Sequence, residues 1–125
     1  MSEIEVLGHR ELARGASSPG ITRFQAFDLP GALVSESHIA PGVVSAWHHH
    51  AGRTLVGRIV AGRLNFDYGP DGARSVMLSA GDFFRIPPRL VHRDVNPSDE
   101  DEAVVVALLL GEGPSLVNTS GPDAA

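Results

Sequence analysis

Glycine and proline occur at short intervals along this chain, and few of the stretches between them are long enough to form a helix. The 125 residues include 14 glycines and 9 prolines, and the intervening stretches are rich in valine, isoleucine, leucine, phenylalanine and threonine. That pattern is typical of many short strands joined by turns. We therefore predict an all-β fold without a long helix. The predicted strands are 21–27, 32–40, 43–50, 54–61, 63–68, 74–79, 83–86, 90–95 and 103–110.

Length and composition limit the class of protein. A chain of this size suits one domain with one hydrophobic core, and we expect residues 1–125 to form it. The formal net charge is −5 and there is no cysteine. The absence of a basic cluster argues against a nucleic-acid partner, and no apolar run is long enough to span a bilayer. The first residues lack the features of a signal peptide, so we expect a cytoplasmic protein.

Three histidines lie in two of the segments that end in glycine turns. Side chains two apart on a strand point to the same face, so His48 and His50 can address one point while His49 faces away. His92 can add a third imidazole from a distant strand. Neutral imidazole is the commonest side-chain metal ligand near neutral pH. We therefore expect His48, His50 and His92 to bind a divalent metal and to leave coordination positions open for water or a substrate.

The spacing of these residues resembles the two motifs of the cupin superfamily. The matching residues are Gly42, His48, His50 and Gly62 for the first motif and Gly81, Pro87, His92 and Asn96 for the second. Arg89 replaces a glycine of the second motif. The resemblance implies a double-stranded antiparallel β-barrel of the jelly-roll type, with its core at about 33–110. We expect segments 1–32 and 111–125 to pack on the barrel or on a partner, and we expect a homodimer.

The chain departs from the family pattern at one ligand. The family's glutamate would fall at Thr54 or Leu55, so the combination of two histidines and a carboxylate is incomplete. A three-histidine site is the natural interpretation. The resemblance implies dioxygenase chemistry of the kind that cleaves diketones, oxidises thiols or opens hydroxybenzoate rings. Iron is the expected metal, with manganese, nickel or zinc as alternatives, and the metal's charge favours a chelating or anionic substrate.

Further contacts stay open at this level. The candidates for an additional ligand are Glu36, His38 and His49. The candidates for substrate contacts are Arg53, Arg85 and Phe84. An arginine fork suits a substrate carboxylate, and strand alternation lets only one of Phe83 and Phe84 face the cavity.

Three functions are compatible with these residues. We expect a metalloenzyme that acts on a small molecule, first of all a non-heme dioxygenase acting on a chelating enolate, diketone or aromatic substrate. A Lewis-acid cyclase or isomerase on the same site is the alternative within the enzyme class. A non-catalytic cupin that binds a small molecule is the alternative from another class, because a fold does not fix a function.

Overall fold

Two antiparallel sheets make up the fold of residues 3–123, the part of the chain that the computed structural model describes. The strands are β1 (Ala13–Arg14), β2 (Ile21–Leu29), β3 (Ala32–Ile39), β4 (His48–His49), β5 (Thr54–Ala61), β6 (Arg63–Tyr68), β7 (Arg74–Ser79), β8 (Phe83–Ile86), β9 (His92–Val95), β10 (Ala103–Leu110) and β11 (Val117–Asn118). Short 3-10 helices span His9–Glu11 and Pro70–Gly72. The six-stranded sheet has the order β1-β2-β3-β10-β5-β8, and the five-stranded sheet β11-β4-β9-β6-β7. This confirms the predicted all-β jelly roll, with two facing sheets that are not closed into one continuous barrel.

The hydrophobic core lies between the two sheets, and strand alternation produces it. In β10 every second residue, from Ala103 to Leu109, is buried, while Val106 and Leu108 are partly exposed on the outer face. Neighbouring strands contribute inward residues in the same way, including Leu55 and Ile59 of β5. A strand that is apolar throughout can therefore still present one face to the core and the other to the outside, because its successive side chains point to opposite faces.

The predicted strand 43–50 is wrong for most of its length. Only His48–His49 form a strand, with one isolated bridge between Val44 and Val95. The Oγ of Ser45 accepts the backbone N–H of Asp94 at 2.9 Å. A side chain thus takes the place of a backbone carbonyl in the ladder, which interrupts regular pairing just before the first histidine.

The first and the last strand extend the two sheets. Strand β1 pairs with β2, and β11 pairs with β4 through Val117 opposite His49. The sequence pattern predicted neither strand, because two residues are too few to show a period. The pairings cover sheet edges that would otherwise expose unpaired backbone groups.

Two positions of the cupin motifs, Gly62 and Arg89, lie in turns with a positive φ. Gly62 joins β5 to β6 at a φ of 76°, and a Cβ there would lie 2.4 Å from the carbonyl oxygen of Glu102. Arg89 stands where the family pattern has glycine, and it adopts a φ of 61°. A left-handed backbone costs a residue with a Cβ roughly 1–2 kcal/mol. Arg89 therefore adopts, at some cost, a backbone conformation that glycine adopts freely.

The outer face of the six-stranded sheet carries exposed apolar side chains. Phe83 is 73% exposed and Val60 50% exposed, and Val106 and Leu108 lie on the same sheet. The homodimer stays a prediction. Within residues 3–123, no helix has the length and hydropathy required to cross a membrane.

Candidate metal centre

The three predicted ligands meet at one end of the space between the sheets. His48 begins β4 and lies directly opposite His92 of β9 in the register, and His50 follows β4 by one residue. One ring nitrogen from each lies within 4.8 Å of the others. Their exposures are only 2%, 8% and 2% in chain order, so the cluster is shielded from bulk water.

Backbone carbonyls fix the orientation of each ring. The Nδ1 hydrogen bonds run from His48 to Ala46 (2.8 Å), from His50 to Ser115 (2.8 Å) and from His92 to Leu90 (3.0 Å). A carbonyl oxygen can only accept, so each Nδ1 carries the proton and each Nε2 presents a lone pair. This is the arrangement in which a protein orients imidazole ligands towards a metal.

Burial keeps these rings neutral. It lowers the pKa of His50 and of His92 to about 4, although Asp94 opposes the effect at both. The pKa of His48 is also lowered by burial, again against the charge of Asp94. At neutral pH the rings are therefore unprotonated, which is the form that binds a metal. The donor set and its charge state fit a divalent ion.

The cavity in front of the histidines is largely apolar. Its apolar lining includes Leu33, Ile39, Leu55, Leu64, Phe66, Phe84, Ile86, Val105 and Leu109. Leu55 is one of the two positions where the family glutamate would fall, and its side chain faces this cavity. At this one of the two positions, an apolar side chain therefore lines the site.

Of the predicted substrate contacts, the structure brings only Phe84 to the cavity. Phe83 faces outward, and the guanidinium of Arg58 lies 5.3 Å from its ring centre. Arg85 is exposed because it shares the outward face with Phe83, two residues earlier. Arg53 is buried, but it donates to two backbone carbonyls near the C-terminal tail, at 2.9 and 3.2 Å. Neither Arg53 nor Arg85 lines the cavity, which corrects that expectation.

The candidates for an additional ligand also lie elsewhere. Ser35 and Ser37 line the cavity, so Glu36 and His38 lie on the opposite face of β3. There His38 bonds Glu36 at 2.9 Å through Nε2. His49 accepts the N–H of Ala51 at Nδ1, at 3.0 Å, and is absent from the cavity lining.

Two charged residues of the cavity escaped the sequence interpretation. Arg23 of β2 lines it, and its Nη1 donates to Ser18 Oγ at 2.8 Å. Asp94 lines it as well, two residues after His92. Strand alternation from His92 could have found Asp94. Nothing in the sequence singles out Arg23, because segment 1–32 carries no motif of the site.

Comparison with known proteins agrees with the observed fold. Residues 35–109 match the family model described as "Cupin domain". No curated protein is significantly similar to the chain in sequence. Among solved structures, a protein of Klebsiella pneumoniae subsp. pneumoniae MGH 78578 with a double-stranded β-helix domain is 19% identical, with a TM-score of 0.72 over 94% of this chain and 99% of that one.

Two further structures share the fold. The polyketide cyclase RemF from Streptomyces resistomycificus is 14% identical, with a TM-score of 0.77 over 96% of this chain and 90% of that one. KdgF from Halomonas sp. is 22% identical, with a TM-score of 0.71 over 87% and 96%. At these identities the likeness concerns the fold alone.

Proposed function

The chain belongs to the cupin family, and from that membership we propose that it is a metalloenzyme for a small anionic substrate, with the metal on His48, His50 and His92. The observation that carries the proposal is the convergence of three buried, neutral rings whose Nδ1 protons are all committed to backbone carbonyls. A bound divalent metal would supply Lewis acidity and, in the case of iron, activation of dioxygen beside the substrate.

Arg23 is the residue that we assign to the anionic group of the substrate. Burial lowers its pKa while Asp94 opposes this, but a guanidinium keeps its charge in proteins. Its charge also reaches the cluster, because after burial it is among the causes that lower the pKa of His48 and His50. Arg23 thus takes the role that the sequence gave to Arg53 and Arg85.

The apolar wall suits the rest of such a substrate. Phe66 and Phe84 pack with ring centres 5.0 Å apart, and both line the cavity with several aliphatic side chains. This surface excludes water and offers contact area to an apolar or aromatic body. We therefore propose a substrate with one anionic, chelating end and one apolar end, such as an enolate, a diketone or a hydroxylated aromatic acid.

Dioxygenase remains our first proposal for the reaction, and iron for the metal. Elemental analysis of protein purified without a histidine tag or chelator tests this. We expect about one equivalent of metal per chain, lost in His92→Ala. Iron together with dioxygen uptake on diketones or hydroxylated aromatics supports the dioxygenase. Zinc without dioxygen uptake favours the Lewis-acid cyclase or isomerase.

A negative result is equally informative. If the protein takes up neither iron nor zinc after reconstitution, the metalloenzyme proposal is wrong. The non-catalytic binding cupin then becomes the better description, and Arg23 with the apolar wall becomes its binding site.

A further inference from the structure

Asp94 faces the same cavity as His92 because the two residues lie two apart on β9. Side chains at that spacing share a face of the strand, and both line the cavity. On the neighbouring strand β6, Phe66 lies opposite Asp94 in the register. The carboxylate therefore reaches the histidine cluster from the strand that already supplies one of its members.

One oxygen of this carboxylate has no partner in the described part of the chain. Asp94 Oδ1 is buried without a hydrogen bond. It lies 3.7 Å from Nε2 of His48 and 3.9 Å from Nε2 of His92, and both distances are too long for hydrogen bonds. A buried carboxylate oxygen is normally hydrogen-bonded, paired with a charge or bound to a metal.

The three atoms are all electron-rich and face a common volume. The rings of His48 and His92 carry their proton on Nδ1, where a backbone carbonyl accepts it. Each Nε2 therefore presents a lone pair, and Asp94 Oδ1 lies 3.7 and 3.9 Å from these two atoms. Imidazole nitrogens and a carboxylate oxygen are donors that a divalent metal ion binds.

The distances from Asp94 Oδ1 to Nε2 of His48 and of His92 suit that cation. Bonds of about 2.0–2.2 Å from a divalent metal to nitrogen and oxygen ligands place adjacent ligand atoms roughly 3–3.5 Å apart. The observed 3.7 and 3.9 Å need a closure of some tenths of an ångström, which side-chain rotation can supply.

We propose that Asp94 is a fourth ligand of the metal, so that the site holds three histidines and one aspartate. The carboxylate that is missing at Thr54 and Leu55 on β5 is then provided by β9. The proposal rests on the metal binding proposed above and adds one residue to it. An oxygen donor also shifts the preference of the site towards iron or manganese.

Titration of the metal-stripped, tag-free full chain with Co²⁺ tests this ligand. Calorimetry gives the affinity, and the visible absorption of bound Co²⁺ reports its ligand set. Asp94→Asn is compared with Asp67→Asn, whose side chain is similarly exposed (18% against 13%) but bonds Arg93 at 2.9 Å. We expect Asp94→Asn to weaken Co²⁺ binding by at least about 10- to 100-fold and to change the absorption, while Asp67→Asn keeps the wild-type affinity and spectrum.

The melting temperature of the metal-free variants separates ligation from a structural role. We expect metal-free Asp94→Asn to melt no lower than the wild type, because Asp94 Oδ1 makes no hydrogen bond in the described part of the chain that the substitution would break. If Asp94 instead pairs with a protonated His48 or His92, this variant melts lower and keeps wild-type Co²⁺ binding, which overturns the proposal.

The two proposals fail in different ways. A wild-type protein that binds no Co²⁺, iron or zinc overturns the metal function itself. Wild-type binding together with unchanged affinity and absorption in Asp94→Asn overturns only the role of Asp94.

Discussion

The cavity histidines and His38 place the same ring in opposite electrostatic surroundings. Inside the cavity, burial outweighs all other effects and lowers the pKa of His50 and His92 to about 4. On the outer face of β3, burial also acts to lower the pKa of His38, but hydrogen bonds to Glu102 and Glu36 outweigh it and the pKa is raised. Neutral rings with a free lone pair can bind a metal, whereas a ring held between two carboxylates favours its protonated form.

The partners of the rings explain the difference. Each cavity ring gives one proton to a carbonyl and leaves Nε2 open. His38 uses both nitrogens, at 2.8 Å to Glu102 and 2.9 Å to Glu36. Carboxylates close to a histidine in the sequence are therefore no evidence that the histidine binds a metal.

We expect the largest difference between the cavity histidines and His38 in metal binding. Loss of a hydrogen bond that supports a ligand costs about 10- to 100-fold in metal affinity. His48→Ala removes the ligand atom itself, so we expect it to weaken metal binding by more than this. His38→Ala is the matched control and should retain the wild-type metal content. Elemental analysis after dialysis against a chelator measures both, and equal losses would show that the cavity histidines have no special role.

The pH dependence of folding should come from the cavity. Below a pKa of about 6.5 the unfolded chain takes up protons on these histidines, while the folded, metal-free protein does not until about pH 4 at His50 and His92. The unfolded state then binds more protons, so the free energy of unfolding falls as the pH drops from about 6.5 to 4. We expect a loss on the order of a few kcal/mol by denaturant titration.

A matched variant isolates this contribution. His50→Gln removes one of the groups concerned, so its free energy of unfolding should depend less steeply on pH over the same range. An equally steep curve in His50→Gln would place the dependence elsewhere in the chain.

A smaller effect is expected at Arg23, the residue that we assign to the anionic group of the substrate. Arg23→Gln should weaken the binding of benzoate to the metal-free protein by about tenfold or more, because a charge-assisted hydrogen bond is lost. Arg14→Gln, on the exposed neighbouring strand β1, should leave it unchanged. Calorimetry measures both, and benzoate binding that does not depend on Arg23 would remove that residue from the proposed site.

The smallest effect concerns His38 and its two hydrogen-bond partners, Glu36 and Glu102. Glu102→Gln removes one of the two carboxylates that raise the pKa of His38, so that pKa should fall. The ring-proton resonances of His38, followed by NMR across neutral pH, measure it. Because the pKa of His38 is raised in the folded protein, its protonation stabilises the fold fully below the unfolded-state pKa of about 6.5. That stabilisation is lost as the pH rises through the pKa of the folded state. An unchanged pKa in Glu102→Gln would mean that Glu36 alone accounts for the shift.

The fold was predictable because it depends on local signals. Glycine turns and alternating apolar residues placed most strands of both sheets, β10 among them, within a few residues of their observed bounds. The prediction failed at 43–50, where the Ser45 side chain bonds the backbone of Asp94 from another strand. A contact 49 residues away in the chain leaves no local pattern.

The candidate site was predictable in part. Strand alternation and motif spacing brought out His48, His50 and His92, and alternation limited the aromatic contact to one of Phe83 and Phe84. The arginine assignments failed, because whether a guanidinium meets a cavity, a carbonyl or the outside depends on which sheet covers it. Arg23 reaches the cavity from a strand that carries no motif.

Local sequence patterns were enough to indicate the all-β class, the two histidine segments and the absence of a carboxylate at Thr54 and Leu55. Which charged residues share the cavity depends on the folded structure, which brings Asp94 Oδ1 to 3.7 Å from His48 Nε2. Periodicity along one strand fixes the face on which a side chain lies. The packing of two sheets fixes what that face meets, and so it is the packing that gave Arg23 and Asp94 their place beside the histidines.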